Sequence, residues 1–169
     1  LERDRELLAG VRTGAWLDQQ EFPPLTYAIP DVIPEGFTVL AGAPKVGKSW
    51  FILSLCLAVA SGAYALNALA VDQRKVLYLA LEDGDRRLQE RCRQLIPGET
   101  IPAAFAYTNR VKPGQIINTI AVYLQQHPDT GLVVLDTLGK VMPPARAGET
   151  TYQRDYRVGG NLKQITDDH

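Results

Sequence analysis

The chain is poor in the residues that build disulfide frameworks and metal centres. Its 169 residues include two cysteines, Cys56 and Cys92, and two histidines, His127 and His169. Neither cysteine belongs to a CxxC spacing, and both lie in apolar stretches of helical pattern, so core packing is their expected role, ahead of metal or redox chemistry. An excess of charge of either sign is also missing: 18 Lys and Arg stand against 19 Asp and Glu, a net charge of −1. Nothing in the overall balance therefore favours nucleic acid or an acidic membrane, and any such binding has to come from a local patch. Long hydrophobic runs are absent too. The longest largely apolar one, Trp50 to Ala60, is too short to span a bilayer. The N-terminus reads Leu1-Glu2-Arg3-Asp4-Arg5 and carries no signal-like apolar region, so no membrane role and a cytoplasmic location are expected. Disorder is disfavoured, since 46% hydrophobic with 22% charged residues is a globular composition. There is no internal repeat or low-complexity tract.

What is present is an alternation of apolar strands and helices. Residues 2–9 suit a short charged helix, and the stretch from Phe22 to Pro34, with Pro23, Pro24, Pro30 and Pro34, reads as an extended linker. A compact domain is expected from Glu35 onward, giving a division into 1–34 and 35–169. Phe37–Ala41 reads as a strand, Ser49–Ser61 as an apolar helix closed by Gly62, and Val76–Leu81 as a strand apolar at every position. Asp83 or Asp85 can cap a helix reaching about Leu95, with Leu88, Cys92 and Leu95 on one face and arginines elsewhere. Ala104–Thr108 forms a third strand, Pro113 opens a helix reaching Gln126, and Leu132–Leu135 is a fourth strand. Crossover helices between apolar strands predict an α/β fold, a mostly parallel sheet with helices on both faces in three layers.

Between the first strand and the first long helix lies Gly42-Ala43-Pro44-Lys45-Val46-Gly47-Lys48-Ser49, which fits GxxxxGK[ST] in the strand-then-helix context that this phosphate-binding loop needs. Gly42 and Gly47 let the backbone curl so that successive N–H groups point inward, and the helix N-terminus turns its positive dipole end toward the same anion. Lys48 is expected to reach the β- and γ-phosphates of ATP, and the Ser49 hydroxyl to coordinate the Mg2+ bridging them. Asp136, at the end of the apolar strand Leu132–Leu135, is placed to orient that ion's hydration shell, and this strand can lie beside the phosphate-loop strand. Leu79-Ala80-Leu81-Glu82-Asp83 puts two acids at the carboxyl end of the strand after the phosphate-loop helix, the edge where such sheets bind ligands. Glu82 is the candidate base for the attacking water, while Asp83 suits a helix start.

Four stretches carry a family resemblance: Pro34-Glu35-Gly36-Phe37; Ala41-Gly42-Ala43-Pro44-Lys45-Val46-Gly47-Lys48-Ser49-Trp50; Tyr78-Leu79-Ala80-Leu81-Glu82-Asp83 followed by Arg87 and Arg91; and Leu132-Val133-Val134-Leu135-Asp136-Thr137. Together they resemble the RecA-type P-loop ATPases, in particular the branch related to the hexameric replicative helicase RepA, the DnaB-type helicases and KaiC. The resemblance spans residues 34 to 169. It implies a RecA-like core, a nucleotide site running from Gly42 to Trp50, Glu82 as the acid that activates water, and a homo-oligomeric ring with single-stranded DNA in its channel.

In such proteins the segment after the magnesium-orienting aspartate leads to a loop facing the channel. Here it is Gly139 to Tyr156, with Lys140, Arg146, Arg154 and the following Arg157 interleaved with Tyr152 and Tyr156, residues suited to phosphate and stacking contacts and diluted by Glu149 and Asp155. Arg87 and Arg91 fit either the nucleotide's surroundings or a solvated helix face. The family's domain continues with a further strand and an arginine finger, so the C-terminal part is expected to be missing and the chain to be a fragment. Gly159-Gly160, inside a helical stretch, has no functional account. The implied activity is ATP hydrolysis by a DNA helicase in plasmid, phage or mobile-element replication. The alternatives are a regulatory or recombination ATPase, a small-molecule kinase, against which Glu82 speaks, and a binding-only domain, against which Lys48, Ser49, Glu82 and Asp136 speak.

Overall fold

The apolar runs become the central layer of an α/β structure. The computed structural model describes residues 2–112, 114–140, 142, 145 and 147–167. Strand β5 (Lys75–Ala80) lies in the middle of a parallel sheet, with β6 (Phe105–Thr108) on one side and β7 (Thr130–Asp136) on the other. Every residue from Val76 to Ala80 is buried, because a central strand is covered on both faces. On β7, an edge strand, only Val134 is buried and the rest are half-buried.

Side chains alternate across this sheet into two cores. Val76, Tyr78 and Ala80 meet helices α3 (Lys48–Ser61) and α4 (Asp85–Leu95) in a cluster that includes Leu53, Cys56, Val59, Leu88 and Cys92. Leu77 and Leu79 meet α5 (Ile116–Gln126) and α6 (Thr151–Asp167) through Ile116, Ile120, Val158 and Leu162. Helix α3 ends where its Gly62 adopts φ 71° and donates its N–H to the Ala58 carbonyl. A short hairpin, β3 (Tyr64–Ala65) and β4 (Leu69–Ala70), then returns the chain to β5.

The strand expected at 37–41 is not formed, and Phe37, Val39 and Leu40 are exposed. An apolar run becomes a strand only where another strand supplies its hydrogen bonds. None of the described strands pairs with this one, and the strand that β7 pairs with is β5. The expected linker is also corrected. Tyr27–Ile29 (β1) pairs antiparallel with Ile33–Pro34 (β2), and Ile29 is fully buried against α3. Glu35 N–H donates to the Thr26 carbonyl at 2.8 Å, and the Thr26 hydroxyl donates to the Glu35 carboxylate. The division expected at residue 34 thus passes between residues that the structure joins.

At the N-terminus, α1 (Glu2–Leu8) occupies the expected position, and α2 (Gly14–Asp18) follows, its start capped by the Thr13 hydroxyl. The residue preceding α4 is Gly84, without a side-chain cap, so neither Asp83 nor Asp85 caps it. Pro113 lies outside the described residues, and α5 begins at Ile116. Residues 151–156, expected in a loop, open α6.

Candidate functional site

Helix α3 runs antiparallel to β5. At its end the Arg74 N–H donates to the Val59 carbonyl at 3.0 Å and the Gln73 side chain to the Ala60 carbonyl at 3.2 Å, just before β5 begins. Its start therefore points to the opposite edge of the sheet. There Trp50, in the first turn, has its ring centroid 4.8 Å from the Arg91 guanidinium carbon, and Arg91 Nη1 donates to Asp83, shortly past the end of β5. The carboxyl end of β7 lies at the same edge: Ala80 pairs with Asp136, and the Leu81 N–H donates to the Asp136 carbonyl at 2.8 Å. The phosphate loop, Glu82 and Asp136 are thus brought to one edge.

The loop is curled. Lys45 (φ 64°) and Gly47 (φ 96°) are both left-handed, and glycine is the residue that tolerates this at no cost. Ala43, Pro44, Lys45 and Val46 are exposed, whereas Gly47, Lys48 and Ser49 are half-buried where the helix begins. Gly47 gives no side-chain cap and the first turn holds no acid. The leading N–H groups of a 14-residue helix therefore remain available to an anion. Lys48 Nζ donates to the Gly42 and Ala43 carbonyls, both at 2.7 Å, so the ammonium lies across the loop held by neutral groups that a phosphate can replace. The Trp50 indole is turned toward Arg91.

Asp136 is half-buried, and its Oδ2 accepts a hydrogen bond from the Tyr78 hydroxyl at 2.6 Å. Burial first, and then this bond, push the Tyr78 phenol above its ordinary range, so it stays a donor. Glu82 is exposed, in the turn between β5 and α4. No cluster of three or more His, Cys, Asp or Glu among the described residues could hold a metal by itself. One hydroxyl and one carboxylate fit Mg2+ that takes most of its ligands from phosphate oxygens and water.

The basic residues expected after β7 are differently engaged. Lys140 is exposed at the end of a 3-10 turn, Leu138–Lys140. Arg146 lies outside the described residues. Arg154 is half-buried on α6, and Arg157 grips Glu149 through Nε and Nη2 at 2.8 and 3.0 Å, the contact that raises its pKa. Tyr152 and Tyr156 are 77% and 75% exposed with ring centroids 6.4 Å apart, a stacked pair on one helix face.

Sequence reasoning missed Tyr78 as the partner of Asp136, and it left Arg91 between two roles. Arg91 is neither solvated nor exposed; it is 5% exposed, sandwiched between Trp50 and Asp83, with Arg87 bound to the other Asp83 oxygen at 3.1 Å. A hydroxyl in an otherwise apolar strand was the available signal for Tyr78. Nothing local announced the Trp50–Arg91 contact, which joins two helices.

No curated protein and no solved structure gives a significant match to the chain. A family model described as an AAA domain matches residues 2–167, nearly the whole length. Its span includes the loop, both acids and the sheet that carries them, and the chain belongs to this AAA domain family of P-loop ATPases.

Proposed function

We propose that the chain is the RecA-type motor domain of an ATP-driven DNA helicase, acting as a hexameric ring on single-stranded DNA in the replication of a plasmid, phage or mobile element. The observation supporting it is the convergence of the curled loop, Asp136 and Glu82 on one sheet edge. A kinase needs no such acid for water, and a binding-only domain needs neither acid.

In this reading the amides from Gly42 to Ser49 cradle the phosphates, and Lys48 leaves the Gly42 and Ala43 carbonyls for the β- and γ-phosphate oxygens. The Ser49 hydroxyl and the Asp136 carboxylate would hold Mg2+, which would supply charge neutralisation at the phosphates. Glu82 accepts a proton from water as its oxygen attacks the γ-phosphorus and the bond to ADP breaks. Tyr78 keeps the Asp136 carboxylate fixed in orientation. Lys140, Arg146, Arg154, Tyr152 and Tyr156 supply the contact to a single strand. Arg157, which also holds Glu149, belongs to the same stretch.

In the full-length protein with Mg2+, Lys48→Ala should weaken ATP binding by about tenfold or more, the loss of a close charge pair. Glu82→Gln should leave affinity within about twofold and lower turnover by about 10²-fold or more. Equal loss of binding in both variants would refute this division of roles. The Arg157–Glu149 pair, which removes a cation from the expected DNA contact, favours a second reading. It is a regulatory or recombination ATPase that unwinds nothing, and strand displacement on forked DNA separates the two.

A further inference from the structure

We infer that Arg91 is a positioning residue, a buried strut that ties the first turn of α3 to the turn carrying Glu82, so that the phosphate grip and the candidate base are held in one geometry. The inference rests on the nucleotide chemistry proposed above.

Three observations lead to it. The backbone around Glu82 is fixed on both sides although its side chain is exposed: Leu81 N–H donates to the Asp136 carbonyl at 2.8 Å, and Asp83 N–H to the Ala80 carbonyl at 3.2 Å. On the Asp83 side the anchor is electrostatic. The carboxylate is buried and held by Arg91 from within and by Arg87 Nε, at 3.1 Å, from the surface. The far side of Arg91 faces Trp50 at 4.8 Å, directly after Ser49. A flat guanidinium suits this place, since it stacks on an indole face and forks toward a carboxylate at once.

The strut is not built for stability. Arg91 Nε and Nη2 are buried with no hydrogen-bond partner among the described residues. A well-packed apolar pair often replaces a buried ion pair at no loss of stability, so a charge left partly unsatisfied at this one junction points to geometry as what it provides. Arg91 donates to Asp83 and stacks on Trp50, while the Gly42 and Ala43 carbonyls accept from Lys48, so its effect on the loop and on Glu82 passes through Trp50 and Asp83.

The test uses the full-length protein in a Trp16→Phe background, which leaves Trp50 as this chain's fluorophore. The paired variant Arg91→Met with Asp83→Leu removes the strut without stranding a buried charge. It should retain its circular dichroism and cooperative melting and bind MgATP within about threefold of wild type. Turnover should fall by about tenfold or more, as expected when a base shifts by a fraction of an ångström to an ångström. The change in Trp50 emission on adding ATP should shrink as well. Trp50→Leu, which leaves the ion pair in place, should show the same loss of turnover, and it decides the matter should the paired variant fail to fold. Turnover within twofold of wild type in a folded variant overturns the inference, and so does a loss confined to ATP binding. Failure of the wild-type protein to hydrolyse ATP, or indifference to Lys48→Ala, strikes instead at the proposed nucleotide chemistry.

Discussion

Tyr78 shows how a single hydroxyl changes what a strand can do. Phenylalanine would fill the same space in β5, but it would leave the half-buried Asp136 carboxylate without its donor. An unsatisfied polar group of this kind costs about 1–3 kcal/mol, and Tyr78→Phe should lose an amount at the low end of that range in denaturant unfolding. Burial also raises the pKa of the phenol and of the Cys56 thiol above their ordinary values. The unfolded chain releases these protons near pH ~8.5 to ~10, whereas the folded chain keeps them. Stability from these groups is therefore complete below that range and declines as the pH rises through it, by about 1.4 kcal/mol per pH unit for each fully ionising group. The melting temperature should fall between pH 9 and 11, and Tyr78→Phe should flatten that fall. An unchanged slope would show that the phenol is not held neutral. A thiol reagent at neutral pH should leave Cys56 and Cys92 unlabelled until the chain unfolds, because both are buried.

Helices and strands here divide into those set by their own sequence and those set by a neighbour. Helix α3 was legible because its run from Trp50 to Ser61 is long, apolar and closed by a glycine. Strand β5 was legible because a central parallel strand is apolar at almost every position, and its neighbours β6 and β7 because their short apolar runs lie between breaks in the helical pattern. The segment 37–41 has the same composition but pairs with none of the described strands, so it forms no strand of its own. The hairpin at 27–34 was hidden by its prolines, which a two-residue strand end accommodates. The glycine that closes α3 and one within α6 give opposite predictions. Gly62 sits at φ 71° with Gln73 Cβ only 2.9 Å from where a side chain would start. Gly62→Ala should destabilise by about 1–3 kcal/mol, read as a lower urea midpoint with unchanged slope. Gly160 is exposed within α6 and meets nothing within 4 Å. Gly160→Ala should stabilise by about 0.5–1 kcal/mol, and destabilisation instead would mean that the residue's flexibility or a close partner matters there.

For the molecule as a whole, local spacing gave the phosphate loop and the two strand-end acids. The Arg91 strut and the fate of the basic residues depended on how α4 and α6 pack, which no local pattern records. Exposed aromatics on α6 and the exposed Lys140 ahead of it lead to a prediction about the proposed single strand. Tyr152→Ala with Tyr156→Ala should weaken its binding by about tenfold without altering the dependence on salt, since each base stacked contributes ~1–3 kcal/mol with no ion released. Lys140→Ala should instead lower the slope of log affinity against log salt by about one. If the tyrosine variants bind as wild type does, this helix face is not the contact. No helix among the described residues is long and apolar enough to cross a membrane.

The hairpin ahead of the loop has a mechanical consequence. With Ile29 locked into the core and Glu35 tied to Thr26, the chain from 36 to 47 is pinned at both ends, upstream by the hairpin and downstream by α3. A tether of fixed end points explores few shapes, so a triphosphate arriving there meets a span whose freedom folding has already curtailed. Tension on residues ahead of the hairpin would be borne by Ile29 before it reached the nucleotide's seat.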